Sequence, residues 1–141
     1  MRVTVGLAAA LMLVAACGGS GLPNGAKAKD TGDIQKICVG SWESVADAVG
    51  RKSSAGKLYI EASKPCCSEV VKEAKRLNKV QQTFLWYEYA AEDDLRRSQE
   101  EIDALLAVND ALRESLSREE QGEVFAARQV FGSCMSRIEN R

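Results

Sequence analysis

The chain has 141 residues, of which 45% are hydrophobic and 28% charged, and its formal net charge is −1. That balance lacks the basic footprint of a nucleic-acid binder, and the length suits one ordinary domain rather than two. Histidine is absent altogether, which excludes His-based acid–base catalysis, Ser-His and Cys-His nucleophile pairs, and the Glu-x-x-His ligand sets of di-iron bundles.

The first stretch, Met1 to Gly21, reads MRVTVGLAAALMLVAACGGSG. Arg2 supplies a short basic start, Val3 to Ala16 an apolar run, and Gly18-Gly19-Ser20-Gly21 a small-residue continuation. The apolar run is too short for a helix that must cross ~30 Å of hydrocarbon with about 20 residues, so the layout is that of an export signal. Val14-Ala15-Ala16-Cys17 resembles the lipobox of bacterial lipoproteins. The resemblance implies cleavage before Cys17 and acylation of its sulfur, with the rest of the chain held at a membrane facing the periplasm or exterior. A plain secretory signal cut after Ala15 or Ala16 is the rival. Gly18, where an aspartate retains many lipoproteins at the inner membrane, points to the outer membrane in a Gram-negative host.

Three segments are expected: a signal peptide at 1–16, a lipidated flexible tether at 17–32, and a helical domain at 33–141. The tether expectation rests on Gly, Ser, Lys and Asp without apolar periodicity; some 15 such residues would span roughly 20 Å.

Asp30 or Asp33 is placed to cap a first helix whose apolar stripe runs Ile34, Ile37, Cys38, Trp42, Val45, Ala48 and Val49. Gly50 to Lys64 collects Gly, Ser and Lys around Leu58-Tyr59-Ile60 and reads as a loop. Pro65 suits the first turn of a second helix, where its missing N–H costs nothing.

From Cys66 to Leu116 there is neither Pro nor Gly. A seven-residue frame places Cys67, Ala74, Gln81, Glu88, Leu95, Ile102, Asn109 and Leu116 at one seam position. Val70, Leu77, Phe84, Ala91, Ser98, Leu105 and Leu112 take the other. One continuous helix would be about 75 Å long, so a break is expected between Glu92 and the capping-box pattern Ser98-Gln99-Glu100-Glu101. A single coiled-coil rod is the alternative, and it would use Asn109 as a register-setting polar residue. A second capping box, Ser117-Arg118-Glu119-Glu120, opens a last helix with Val124, Ala127, Phe131, Cys134 and Ile138 on one face. The sum is an all-α fold: a small antiparallel bundle of three to four helices.

Beyond Cys17 the cysteines are Cys38, Cys66, Cys67 and Cys134, an even number in an exported chain, so two disulfides are expected. Two pairings stay open. Adjacent cysteines usually take separate partners, which would staple the second helix to both the first and the last. An up-and-down bundle with a helix starting at Pro65 instead brings Cys38 to Cys134 and leaves Cys66 and Cys67 some 20–30 Å away.

Phe84-Leu85-Trp86-Tyr87-Glu88-Tyr89 surrounds one helix with aromatics. It reads first as a helix buried on two sides, and alternatively as a partner surface formed by Trp86 and Tyr89. Glu92-Asp93-Asp94 lacks the ligand spacing of a calcium loop and reads as a solvated helix junction. Adjacent cysteines chelate poorly and Cys-x-x-Cys is missing, so no metal, cofactor or catalytic residue is expected. The expected role is a lipid-anchored envelope protein, bound to the membrane through Cys17, that works by contact with another envelope protein. The alternative is a carrier or sensor for a small apolar ligand held between the helices.

Overall fold

A computed structural model describes residues 21–141; the signal stretch and Cys17 lie outside the described residues. The described chain is all-α, with helices α1 (Thr31–Val49), α2 (Ser54–Ala74), α3 (Lys79–Glu88), α4 (Gln99–Ser115) and α5 (Arg118–Glu139). A π-helical turn, Tyr89–Asp93, continues α3.

Each helix begins at a polar side chain that takes an otherwise orphaned backbone N–H. Asp30, Ser53, Asn78, Ser98 and Ser117 are the caps, and all except Ser53 form reciprocal capping boxes. The Asp30 cap, the Ser98 and Ser117 boxes and the break between Glu92 and Ser98 stand where the sequence placed them. Asn78 with Gln81 is a further box, and it starts α3 after a turn at residues 75–78. The stretch from Cys66 to Leu116 therefore divides twice, and no coiled-coil rod forms.

The expected loop from Gly50 to Lys64 is a correction. Ser53 caps α2 at Gly56 N, and the helix runs through Leu58-Tyr59-Ile60 and past Pro65. Pro65 is thus interior to a helix rather than in its first turn. It is tolerated because Pro65 and Glu61, whose carbonyl loses its N–H partner, both lie on the exposed side. The composition of this stretch was misleading, since Gly, Ser and Lys here serve a solvated helix face.

Relocating the start of α2 also settles the disulfides. Helices α1 and α2 form an antiparallel hairpin about Gly50–Ser53, with Cys38 12 residues before Gly50 and Cys67 14 residues after Ser53. The two therefore face one another, and Cys38–Cys67 closes with Cα atoms 5.8 Å apart. Neighbouring positions on a helix point ~100° apart, so Cys66 aims at a different element and bonds Cys134 of α5, Cα to Cα 5.4 Å. Both bonds are buried. The up-and-down objection placed Cys66 at a helix end; in fact it is mid-helix.

α2 is accordingly the central strut, packed on α1 and, antiparallel, on α5. Trp42 of α1 is sandwiched between Tyr59 of α2 and Phe131 of α5, with ring centroids 5.5 and 4.2 Å away and planes within 10°. The expected α5 stripe of Val124, Ala127, Phe131, Cys134 and Ile138 is buried throughout. On α1 the stripe holds for Ile34, Ile37 and Cys38, which are buried, and for Trp42, which is half-buried against the core. Farther along, Val45 is half-buried and Ala48 and Val49 are exposed, while Gly40, Ser41 and Ser44 face inward. These small residues let the π turn approach closely: Ser41 Oγ donates to Tyr89 O, Ser44 Oγ donates to Asp93 O, and Leu95 N donates to Ser44 Oγ.

The flexible-tether expectation is corrected over its described part. Leu22 and Ala26 pack against the core. Lys27 N donates to Tyr87 Oη (3.2 Å) and Lys29 N to Thr83 Oγ1 (3.0 Å), so the segment lies along α3. Its composition shows no period because two isolated apolar residues and two backbone N–H groups, rather than a repeating apolar face, hold it in place.

Two outcomes test this architecture. Peptide mapping under non-reducing conditions should recover Cys38–Cys67 and Cys66–Cys134, and removing either bond by paired Cys→Ala should cost about 2–5 kcal/mol in urea unfolding. A Cβ on Gly56 would sit 1.9 Å from Gly50 O. The helix propensity gained by Gly56→Ala, about 1 kcal/mol, is outweighed by that backbone clash, so the variant should be destabilised by about 1–3 kcal/mol.

Candidate functional site

The most organised polar cluster forms where α3, the π turn, α4 and α5 meet. Glu88 and Asn109, both assigned to one heptad seam position, come together there: Asn109 Nδ2 donates to Glu88 Oε1 at 3.2 Å. Asn109 is fully buried, which makes it an interior polar residue. Arg113 Nη2 also donates to Glu88 Oε1 (3.3 Å), and Arg128 Nη1 to Glu88 Oε2 (2.9 Å).

The π turn brings in a second carboxylate. In an α-helix residues five apart diverge, whereas the wider π turn, closed here by Asp94 N donating to Tyr89 O, brings them nearer to one side. Asp93 therefore reaches the same guanidinium as Glu88, and Arg128 Nη2 donates to Asp93 Oδ2 at 2.6 Å. Burial works against the charge on Arg128, but Asp93 and Glu88 outweigh it and raise its pKa further. The guanidinium stands 5.6 Å from the ring centroid of Tyr89, and burial pushes that phenol well above its ordinary range.

Every charge in this cluster is engaged by another, so its evident action is to hold α5 across the α3–α4 hairpin. Two surface clefts, of about 410 and 610 Å³, border it and share Arg128 and Phe125. Phe84, Glu88, Arg113 and Val124 help line the first; Trp42, Asp93, Phe131 and Met135 help line the second. Phe125, 59% exposed, stands between them on the outer face of α5. Gly122 and Gly132 flank it on that helix, and nothing lies within 4 Å of a Cβ built on either.

The cysteines Cys38, Cys66, Cys67 and Cys134 are brought together as two structural bonds in the core. Cys17 lies outside the described residues. The proposed Trp86 and Tyr89 surface is a correction: Tyr89 is fully buried among α1, the π turn and Arg128, and Trp86 is half-buried beneath Lys29, whose Nζ is 4.0 Å from its ring centroid. Phe84, Leu85 and Tyr87 are buried too, the two-sided burial that the aromatic run first indicated. Asp94 is sequestered by Arg96, through N (3.2 Å), Nε (2.8 Å) and Nη2 (3.1 Å), and Arg97 Nε adds an ion pair at 3.2 Å. Among the described residues no group of three or more His, Cys, Asp or Glu is arranged to hold a metal ion.

Sequence reasoning missed Phe125 and Arg128. The signal for Phe125 was present: it falls off the Val124–Ala127–Phe131 stripe and so must face outward. Arg128 gave none, because its carboxylate partners are 35 and 40 residues away. No protein-family model, curated protein or solved structure matches the chain.

The Asp94 junction has a pH signature. Burial would raise its pKa, but hydrogen bonds and charge from Arg96, with Arg97, hold it below the ordinary 3.8. A carboxylate lowered in the folded state stabilises fully above its unfolded pKa and loses that contribution as pH falls through the folded one. Asp94→Asn should therefore lower stability at pH 7 by about 1–3 kcal/mol. In thermal melts taken from pH 6 to pH 2, the gap between variant and wild type should close below about pH 4.

Proposed function

We propose that the protein is a lipid-anchored component of the bacterial cell envelope that acts by protein–protein contact. The observation that carries this reading is the pair of buried disulfides. Two such bonds in the core favour an oxidising compartment outside the cytoplasm, and that agrees with the export signal and Cys17 lipobox read from the sequence. The polar groups of the best-organised site are engaged in holding helices together, which favours a scaffold over chemistry.

The contact surface on this reading is the outer face of α5. An exposed phenylalanine between two clefts, with an arginine at its base, has the composition of an interface anchor. The apolar-ligand carrier draws no comparable support, since both clefts are open surface grooves bordered by Glu88, Arg113, Asp93 and Arg128.

Intact mass of the protein isolated from membranes should show an acylated Cys17 as the first residue and four oxidised cysteines; a full-length, reduced species would refute the anchor. A photoreactive residue placed at Phe125 in cells should give a discrete adduct with another envelope protein, and one placed at exposed Lys57 should not. Adduct yields no different between the two positions would remove the α5 face from the proposal.

A further inference from the structure

The end of the described chain lies at a basic corner. A Cβ on Gly21, whose φ is +72°, would stand 3.6 Å from Val80 Cγ2 in the first turn of α3, and Leu22 packs onto the core beside it. The chain therefore leaves the domain next to the α2–α3 turn. Gly21 is four steps along the chain from Cys17, and at ~3.3–3.6 Å per residue that allows at most about 14 Å between them.

The same turn carries Lys72, Lys75, Arg76 and Lys79, all exposed, while Ala74 and Leu77 between them point into the core. Lys72, Lys75 and Arg76 follow the three-and-four spacing of one helix face, and Lys79 opens α3 immediately after. Among the described residues, Lys72, Lys75 and Lys79 hold no ion pair, and Arg76 makes only an exposed one with Glu73 at 3.6 Å. The nearby carboxylates are engaged elsewhere in part: Glu120 accepts from the Asn78 amide at 3.2 Å, Glu69 is held by Arg137, and Asp30, which Lys79 influences through charge alone, caps α1. Placing cations at the C-terminus of α2 complements its dipole, but that does not account for Lys79 at the start of the next helix.

We propose that this corner, the α2–α3 turn with Gly21 beside it, rests on an anionic lipid headgroup surface and orients the domain there. The proposal rests on the lipid-anchor reading for its geometry: acyl chains on Cys17, within about 14 Å of Gly21, bring the four cations to the headgroups. It adds an electrostatic contact that the acyl chains alone do not require. Several basic residues at such a surface each contribute to binding, and the contribution is confined to about a Debye length. Lys57, near the other end of α2, is ~22 Å from Lys72 at 1.5 Å per residue, beyond that range. The opposite end of the hairpin is then held away from the membrane.

The test uses the protein as isolated, with intact mass first recording whether lipid is attached. It is mixed with vesicles of phosphatidylglycerol or of phosphatidylcholine, and acetylation rates of individual lysines are read by mass spectrometry. Lys72, Lys75 and Lys79 should react about tenfold more slowly on the anionic vesicles than on the zwitterionic ones. Lys52 and Lys57 should not change, and the contrast should vanish in about 0.5 M salt. Equal rates on both vesicles, or equal protection at both ends of α2, would overturn the proposal. The mass measurement decides the anchor independently: an unlipidated protein that still shows the contrast refutes the anchor alone, and a lipidated one without it refutes the corner alone.

Discussion

Two consecutive residues in the middle of one helix cannot face the same neighbour, and the structure depends on that constraint. Cys66 and Cys67 diverge by about a quarter of a turn, so oxidising both commits α2 to lie between α1 and α5. The loops closed are 29 and 68 residues long. Most of the second loop is the α3–α4 hairpin, which is thereby folded over the three-helix unit. The stacked Trp42, Tyr59 and Phe131 fill the space between the same three helices, so covalent and apolar constraints agree on one arrangement.

Those staples make the polar interior intelligible. Ser41, Ser44, Gln81, Thr83, Asp94 and Asn109 are all buried. Gln81 is satisfied by reaching Glu120 O, while Asn109 Oδ1 and Tyr89 Oη find no partner in the described structure. An unmatched buried polar atom costs about 1–3 kcal/mol, a large fraction of the net stability of a domain this size. Two cross-links of a few kcal/mol each can offset such costs. The fold thus keeps α3 and its π turn in a polar setting that an unlinked helical bundle would tolerate poorly.

Much of this was legible from residue order because it depends on local rules. Capping residues, the α5 stripe and the break before Ser98 each follow from a few adjacent positions. The start of α2 was misread because glycine and serine signal a turn by frequency, whereas here Ser53 caps and Gly56 clears the Gly50 carbonyl. Reading Pro65 as a helix start leaves two disulfide pairings open, because it puts Cys66 and Cys67 at a helix end; the true start of α2 at Ser54 removes the geometric objection to separate partners. The Glu88–Arg128–Asp93 cluster was hidden for a different reason. It depends on a π turn that shifts register by one residue, and no periodic pattern announces that shift.

The docked segment at residues 22–30 changes what the amino terminus can do for the protein. A flexible strand from Cys17 to Gly32 would let the domain tumble above a membrane with any face exposed. Hydrogen bonds from Lys27 N and Lys29 N to α3 remove that freedom from the described part of the segment. If the sulfur of Cys17 is acylated, the domain has one corner at the surface and a limited set of orientations above it. A contact protein gains from such restriction, because a partner in the same layer then meets a surface already presented, and less orientational freedom is lost on binding.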